Sequence, residues 1–251
     1  MLWAPPRPWI PVYRPRPSLR YKGDIPTPPV ITFDAGQTLI ELDLDFLAQR
    51  LAERGMEVAP GALAAAAPAA WARYDELVEA GEGHPWRALM TTLLEGTGAR
   101  EVAPMVAWLW AEQPRVNLWR KPIPEMVELA RELARGGARL AVLSNSEGRL
   151  AELLESISIA DPFAVIVDSG RIGIEKPDRR IFDYTLAALG LPDAEPIHVG
   201  DSWAADIVGA RGAGWRSIWY GRGVKPTGDP RIASARDAAE VRAALVAFGA
   251  L

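Results

Sequence analysis

The chain has 251 residues, a formal net charge of −4 and a hydrophobic fraction of 49%. This length can bury a sizeable core, as one large domain or as one domain with an insertion. The small negative charge gives no electrostatic case for nucleic acid or an anionic membrane as a partner. No apolar stretch reaches the roughly 18 residues of a membrane span. We therefore expect a soluble cytoplasmic protein, either a monomer or a homodimer.

The sequence contains no cysteine, which excludes disulfides, thiolate nucleophiles and thiolate metal sites. Its two histidines, His84 and His198, are too few and too far apart for a histidine-based zinc site. Any metal would be held mainly by oxygen, which favours Mg²⁺ or a similar hard cation.

The N-terminal arm, residues 1–29, is rich in proline and arginine. Because proline lacks an amide donor and fixes φ, we predict that the arm is extended rather than helical. It lacks the apolar segment of a secretory signal. Two interpretations are open: a ligand for an aromatic groove on a partner, or, as we favour, a tail packed on its own protein through Trp3, Trp9 and Tyr13.

The first strand is predicted at 30–33, a short run rich in β-branched residues that ends on Asp34. From about Leu42 to Leu118 the pattern is helical, because apolar residues recur every three or four positions. Pro68 is predicted to kink one of these helices or to split it in two. Three of the helices are predicted at 63–78, 86–94 and 102–112.

Beyond Pro124 the pattern alternates between helices and short apolar strands. The strands are predicted at 140–143, 163–167, 197–199 and 217–220, and the helices at 126–134, 150–156, 180–189, 204–211 and 238–248. This alternation predicts an α/β fold with right-handed crossovers and a parallel sheet that is covered by helices on both faces.

The helical block is then an insertion after the first strand. We predict that it forms a cap over the C-terminal edge of the sheet, where open α/β sheets bind ligands. The predicted organisation is an arm at 1–29, a core formed by 30–40 and 119–251, and a helical cap at 41–118.

Four polar segments lie just after the predicted strands or in loops near them. Each has an ordinary interpretation as a turn or a helix cap. In a parallel sheet, however, all four would meet at one edge, and their order favours a catalytic site. The segments are 34–39, 143–145, 175–178 and 198–202, the last followed by Asp206.

These residue types suit phosphoryl transfer. Asp34 can act as a nucleophile and form an aspartyl-phosphate that water later cleaves. The reaction needs neutralisation of charge, because charge spreads over the phosphoryl oxygens. Asp34 and Asp201 can bind Mg²⁺, with Asp206 as a further or supporting carboxylate. Ser144 and Lys176 can contact the phosphate oxygens.

The quoted segments resemble the motifs of the haloacid dehalogenase-like hydrolase superfamily, in the branch with a helical (C1-type) cap. The resemblance covers about residues 30–222 and is strongest at 172–182 and 198–210. It implies a Rossmann-like core and a set of site residues. These are the nucleophile Asp34, the phosphate ligands Ser144 and Lys176, and the Mg²⁺ ligands Asp34, Gly36 (through its carbonyl) and Asp201.

One position departs from the family pattern. Phosphatases of this family usually carry a second aspartate two residues after the nucleophile, as general acid and base. Here that position is Gly36, and Gln37 stands where a glycine is usual. The metal contact survives because it uses a carbonyl, but proton delivery to the leaving group is lost, which is typically worth about 10²–10⁴ in rate. A slow phosphatase with a borrowed acid, a different reaction and an inactive relative all stay open.

The alternatives differ in the residues they need. Dehalogenases of the superfamily have replaced the metal-binding aspartate, whereas Asp201 is kept. Phosphonate-cleaving relatives use a cap lysine, and no lysine lies between Asp34 and Lys121. We therefore predict a Mg²⁺-dependent phosphohydrolase that acts on a small phosphorylated metabolite through an aspartyl-phosphate. The alternatives are a metal-independent hydrolase of the dehalogenase type and a non-catalytic interaction protein.

The candidate substrate contacts lie in two parts of the chain. Thr38 follows the nucleophile, and Asn145 belongs to the second motif. His84 and Arg87 lie in or beside a glycine-bounded turn between two cap helices. His84 can supply the missing proton, although an ordinary surface histidine and a solvated arginine are the simpler interpretations of the last two.

Overall fold

The computed structural model describes residues 28–82, 85–221 and 228–251. The predicted arm, apart from its last two residues, and the candidate contact His84 lie outside the described residues. The chain divides into two compact units. Of the described residues, the sheet unit comprises 28–41, 120–221 and 228–251, and the helical unit comprises 42–82 and 85–119.

Eight strands are described. They are β1 (Val30–Phe33), β2 (Ile40–Leu42), β3 (Trp119–Pro122), β4 (Arg139–Ser144), β5 (Val165–Asp168), β6 (Ile197–Gly200), β7 (Arg216–Tyr220) and β8 (Ile232–Ala235). Six of them form one sheet in the order β5-β4-β1-β6-β7-β8, and every pairing in it is parallel. The predicted α/β fold with a parallel sheet is therefore confirmed.

The short strands β2 and β3 form a separate two-stranded sheet. Neither was predicted, because both are short and carry charged residues such as Glu41 and Lys121, which form an ion pair. The edge strand β8 was also missed, since its four residues include two alanines and a serine. These strands depend on pairing with a neighbour more than on their own composition.

Ten α-helices are described. They are α1 (Leu44–Ala52), α2 (Ala62–Glu79), α3 (Trp86–Gly96), α4 (Ala103–Glu112), α5 (Pro124–Arg135), α6 (Leu150–Ser156), α7 (Ser169–Ile172), α8 (Arg179–Leu189), α9 (Gly209–Gly212) and α10 (Ala238–Ala247). Within the described residues, no helix is both long and apolar enough to cross a membrane.

Two helix predictions need correction. Of the two outcomes predicted for Pro68, the split is wrong, because α2 runs continuously across it, and the kink stays a prediction. Alanine-rich sequence has high helix propensity, and Ala66 of α2 packs so closely against Gly96 of α3 that a Cβ at Gly96 would lie 2.7 Å from the Ala66 Cβ. The helix predicted at 204–211 is instead a π-helical turn, Trp203–Val208, followed by α9.

The core of the sheet unit positions the site. Strand residues such as Val30 and Leu143 pack against Phe182 of α8 and Trp215 before β7. The parallel register places the carboxyl ends of β1, β4, β5 and β6 at one edge of the sheet. The loops that follow these strands carry the polar segments identified in the sequence, and open α/β sheets bind ligands at this edge.

Candidate active site

Lys176, in the loop before α8, lies at the centre of the candidate site. Its Nζ is 2.7 Å from Asp34 Oδ1, 2.8 Å from the carbonyl oxygen of Leu143 and 2.5 Å from Asp206 Oδ1. An ammonium group has three N–H donors, so each donor has one acceptor. The side chains of Lys176 and Asp206 are 2% and 0% exposed, and that of Asp34 is 12% exposed. The site is thus a buried ammonium between two carboxylates.

Their charges are mutually stabilised. Burial alone would lower the pKa of Lys176, but the negative charges of Asp206 and Asp34 outweigh burial and raise this pKa above its ordinary value. Burial alone would raise the pKa of Asp206, but the charge of Lys176 and the hydrogen bond from His198 outweigh it and lower this pKa. At neutral pH the lysine is therefore an ammonium and Asp206 a carboxylate.

A π-helical turn directs Asp206 inward. The N–H groups of Asp206 and Ile207 both donate to the carbonyl oxygen of Ser202, and wide turns of this kind often occur at functional sites. Asp206 Oδ2 accepts from the N–H of Ser202 at 2.8 Å, and Oδ1 lies 3.1 Å from His198 Nε2. A Cβ at Gly200 would lie 2.4 Å from the Asp206 carboxyl carbon, so only glycine leaves room for this carboxylate.

Three carboxylates converge beside the lysine. Asp34, Asp201 and Asp206 each offer one oxygen, and these oxygens lie within 4.8 Å of one another. A cluster of carboxylate oxygens is the donor set that Mg²⁺ prefers. The indole N–H of Trp219 donates to the carbonyl oxygen of Asp201 at 2.8 Å, which anchors the loop that carries this residue. The chemistry of the donor set therefore fits a hard divalent cation.

The profile of haloacid dehalogenase-like hydrolases matches residues 28–214, about three quarters of the chain. The chain belongs to the haloacid dehalogenase-like hydrolase family.

Relatives and solved structures agree with this assignment. A phosphoserine phosphatase from Thermus thermophilus is 37% identical over 166 residues, which cover 63% of this chain and 65% of that protein, slightly less than two thirds of its length. Haloacid dehalogenase-like hydrolase domain-containing protein 3 from Bos taurus is 30% identical over 207 residues, covering 75% of this chain and 80% of that protein. The structure of the HAD-hydrolase YfnB from Bacillus subtilis bound to magnesium has the same fold, with a TM-score of 0.63, 19% identity and coverage of 87% and 98%.

In this member of the haloacid dehalogenase-like family, the loop after Asp34 is closed by one carbonyl group. The carbonyl oxygen of Ala35 accepts from the backbone N–H groups of residues 38–40. Gln37 has a φ of 53°, which is uncommon for a residue other than glycine. Gly36 does not have a positive φ, so the φ at the position of the usual second aspartate does not require glycine.

Two buried side-chain atoms of this loop have no hydrogen-bond partner among the described residues. Thr38 Oγ1 and Gln37 Nε2 are buried and make no hydrogen bond within the described residues. The carbonyl oxygen of Gly36 accepts no backbone hydrogen bond from the part of the chain that the structure describes. Buried polar groups are normally satisfied, so this loop offers donors and acceptors that a ligand can engage.

The two polar residues of the segment 143–145 have different surroundings. Ser144 ends β4 and is buried. The side chain of Asn145 is already engaged, because its Oδ1 accepts from the N–H of Lys176 at 2.8 Å and its Nδ2 donates to the Lys176 carbonyl oxygen at 3.0 Å. Asn145 thus holds the backbone of the central lysine, and its predicted contact with substrate stays a prediction.

Asp168 is a supporting residue that the sequence reasoning missed. Its carboxylate accepts backbone N–H groups from Gly148, Leu150 and Gly170 at 2.9–3.0 Å. These bonds tie the loop after β4 to the end of β5, and a Cβ at Gly170 would lie 2.5 Å from the Ser146 carbonyl oxygen. The available signal was the same as for Asp34: a carboxylate that ends an apolar strand.

Arg87, the other predicted contact in the helical block, belongs to the helical unit. It is exposed near the start of α3, and its guanidinium carbon lies 5.1 Å from the ring centroid of Trp110. This is a cation–π arrangement within the helical unit. Its role toward substrate stays a prediction.

Proposed function

We propose that this protein is a Mg²⁺-dependent phosphomonoesterase that acts on a small phosphorylated metabolite through an aspartyl-phosphate on Asp34. The observation that carries the proposal is the contact of the Asp34 carboxylate with the buried ammonium of Lys176, beside two further carboxylates at the ligand-binding edge of the sheet. The phosphoserine phosphatase relative supports the same reaction class.

In the first step an oxygen of Asp34 attacks phosphorus, and the bond between phosphorus and the ester oxygen breaks. Lys176 neutralises charge on the nucleophile and on the phosphoryl oxygens, and the hydroxyl of Ser144 donates to one of those oxygens. In the second step water attacks the aspartyl-phosphate, which releases inorganic phosphate and restores the carboxylate of Asp34.

Mg²⁺ would be held by Asp34, Asp201 and the carbonyl oxygen of Gly36. When bound, it would supply further neutralisation of the phosphoryl charge. Asp206 is better suited to a supporting role than to direct ligation, because Lys176, His198 and the backbone of Ser202 already occupy its oxygens. We further propose that the helical unit is the cap that selects the substrate.

The leaving group needs a proton that Gly36 cannot supply. Leaving groups that are stable as anions avoid this need, so aryl phosphates should be hydrolysed faster than alkyl phosphates. An alkyl phosphate that is hydrolysed as fast as an aryl phosphate would show that another group, with His84 the first to mutate, delivers the proton.

The decisive experiment measures release of phosphate from p-nitrophenyl phosphate with and without Mg²⁺. Wild type should be active only with the metal, and Asp34→Asn should be inactive under both conditions. Chloride release from a 2-chloro acid without metal would instead support a dehalogenase. A folded protein that binds Mg²⁺ but hydrolyses neither substrate class would contradict the enzymatic proposal. If p-nitrophenyl phosphate is hydrolysed, a screen of phosphorylated metabolites would identify the substrate.

A further inference from the structure

His198 has no part in the proposed reaction, yet its ring is fully buried beneath the site. It lies on β6 directly opposite Thr32 of β1 in the parallel register. Nδ1 of His198 lies 2.8 Å from Thr32 Oγ1, and Nε2 lies 3.1 Å from Asp206 Oδ1. Both nitrogens of a buried histidine are thus committed to specific partners.

The partners determine the direction of these hydrogen bonds. A carboxylate only accepts, so Nε2 of His198 carries the hydrogen that is donated to Asp206. In a neutral ring Nδ1 is then an acceptor, and the hydroxyl of Thr32 donates to it. The carboxylate of Asp206 therefore selects the tautomer, and the hydroxyl of Thr32, which can donate or accept, completes the hydrogen bonding of the ring and fixes its orientation.

The ring is also held in place by packing. Phe182 contacts it edge to face, with ring centroids 5.9 Å apart and an interplanar angle of 87°. Phe182 is itself confined, because a Cβ at Gly209 would lie 2.8 Å from its ring. His198 thus presents its Nε2–H to Asp206 from a fixed position.

We propose that Thr32 and His198 are positioning residues for the catalytic lysine. They hold the carboxylate of Asp206 so that Oδ1 receives the ammonium of Lys176, and this sets the ammonium 2.7 Å from the nucleophile Asp34. The chain of contacts runs from the middle of the sheet to the reacting atoms. The inference deepens the proposed phosphatase function and rests on it.

The structure offers a matched control on the other side of His198. Ser217 of β7 is its register partner there, is equally buried, and has a hydroxyl with no hydrogen-bond partner within the described residues. Thr32→Val and Ser217→Ala each remove one buried hydroxyl beside the same ring. Only the first removes a hydrogen bond of the proposed chain.

Thr32→Val should lower kcat about 10–100-fold, by analogy with the loss when the outer hydrogen-bond partner of a metal ligand is removed. KM should change less than kcat, because Lys176 is only one of the groups proposed to contact the phosphate, and Ser144 is not part of this chain of contacts. Thr32→Ser should restore kcat, and Ser217→Ala should retain the wild-type rate. A purely structural role of Thr32 would lower the melting temperature without changing kcat.

A second measurement does not depend on turnover. The chain has four lysines, Lys22, Lys121, Lys176 and Lys225, so the ε-methylene resonance of Lys176 can be assigned by lysine labelling and Lys176→Met. Thr32→Val should shift this resonance, and Ser217→Ala should not. If Thr32→Val does not fold, His198→Gln, which keeps a donor for Asp206, is compared with His198→Leu, and only the leucine variant should shift the resonance.

The two measurements separate the inference from the proposed function. An unshifted Lys176 resonance together with a wild-type kcat in Thr32→Val overturns the inference, whatever the wild-type activity is. An inactive wild type whose Lys176 resonance still moves in Thr32→Val overturns the phosphatase proposal and leaves the positioning chain supported.

Discussion

The two carboxylates that share Lys176 lie in contrasting surroundings. Asp206 is fully buried, and both of its oxygens accept hydrogen bonds from other residues of the sheet unit, including His198 and the backbone of Ser202. Asp34 is also buried, although 12% of its side chain is exposed. In the loop that follows it, Gln37 has a positive φ, and the side-chain amide nitrogen of Gln37 has no partner in the described part of the chain.

We infer from this difference that Asp206 supports the lysine and that Asp34 is the residue that reacts. A buried polar network whose members are all satisfied is rigid, which suits the Asp206 side of the lysine. Strained backbone and unsatisfied polar atoms persist where function requires them, which suits the Asp34 side. The ammonium of Lys176 joins the two, so substitutions on the two sides should have different consequences.

The largest expected effect is on stability. Asp206→Asn removes one partner of a fully buried ion pair and should lower the free energy of unfolding by about 3–5 kcal/mol. Asp34→Asn should lower the free energy of unfolding by less, because 12% of the Asp34 side chain is exposed and none of the Asp206 side chain is. Urea denaturation of both variants without metal gives the comparison, and equal losses would break the proposed division between support and reaction.

Stabilisation by Mg²⁺ should depend on the carboxylates on the Asp34 side of Lys176. At a Mg²⁺ concentration of about 100 times Kd, simple linkage stabilises the folded protein by about 2.7 kcal/mol. Asp201→Asn should lose most of this stabilisation, because a ligand is removed. Thermal denaturation over a Mg²⁺ titration measures it. An equal rise in the melting temperature of wild type and variant would show that Asp201 does not hold the metal.

Gly36→Asp, which restores the carboxyl group that is usual in the family, should change the turnover rate and leave the stability nearly unchanged. Gly36→Asp fits a backbone that does not have a positive φ, and a positioned acid is typically worth about 10²–10⁴ in rate. We expect a gain of at least about tenfold for alkyl phosphates and a smaller gain for p-nitrophenyl phosphate. Gly36→Asn is the matched control, since it adds similar volume without an acid. Equal gains from both variants would mean that proton delivery is not what limits the rate.

We expect the smallest effect on stability from Asp178, which caps the N-terminus of α8 near the surface. Hydrogen bonds from the side chain and backbone of Arg180 lower the pKa of Asp178 to about 2. Because the folded pKa is depressed, this contribution to stability is present above the ordinary aspartate pKa of about 4 and is lost as the pH falls toward 2.

The control variant Asp178→Ser keeps a capping oxygen without the charge. Its melting temperature should lie below that of wild type at pH 5, and the difference should shrink as the pH falls from about 4 toward 2. A constant difference across this range would assign the stabilisation to capping geometry rather than to charge.

Much of the fold could be predicted because its strongest signals are local. The apolar run before Asp34 and the one before Asp201 predict β1 and β6 to within a residue, since buried parallel strands are nearly continuous apolar segments. Strands with weak or charged sequences, such as β2, β3 and β8, were missed. Their formation depends on neighbours that periodicity does not reveal.

The sequence by itself determined which segments meet at the candidate site, because strands that alternate with helices bring their carboxyl ends to one edge of a parallel sheet. Only the tertiary structure decided what each side chain does there. It engages Asn145 with the backbone of Lys176, and it turns His198 toward Asp206. Lys176 is separated from Asp34 by 142 positions and from Asp206 by 30. Hydrogen bonds between such distant residues depend on strand register and side-chain packing, and neither leaves a mark in local sequence pattern.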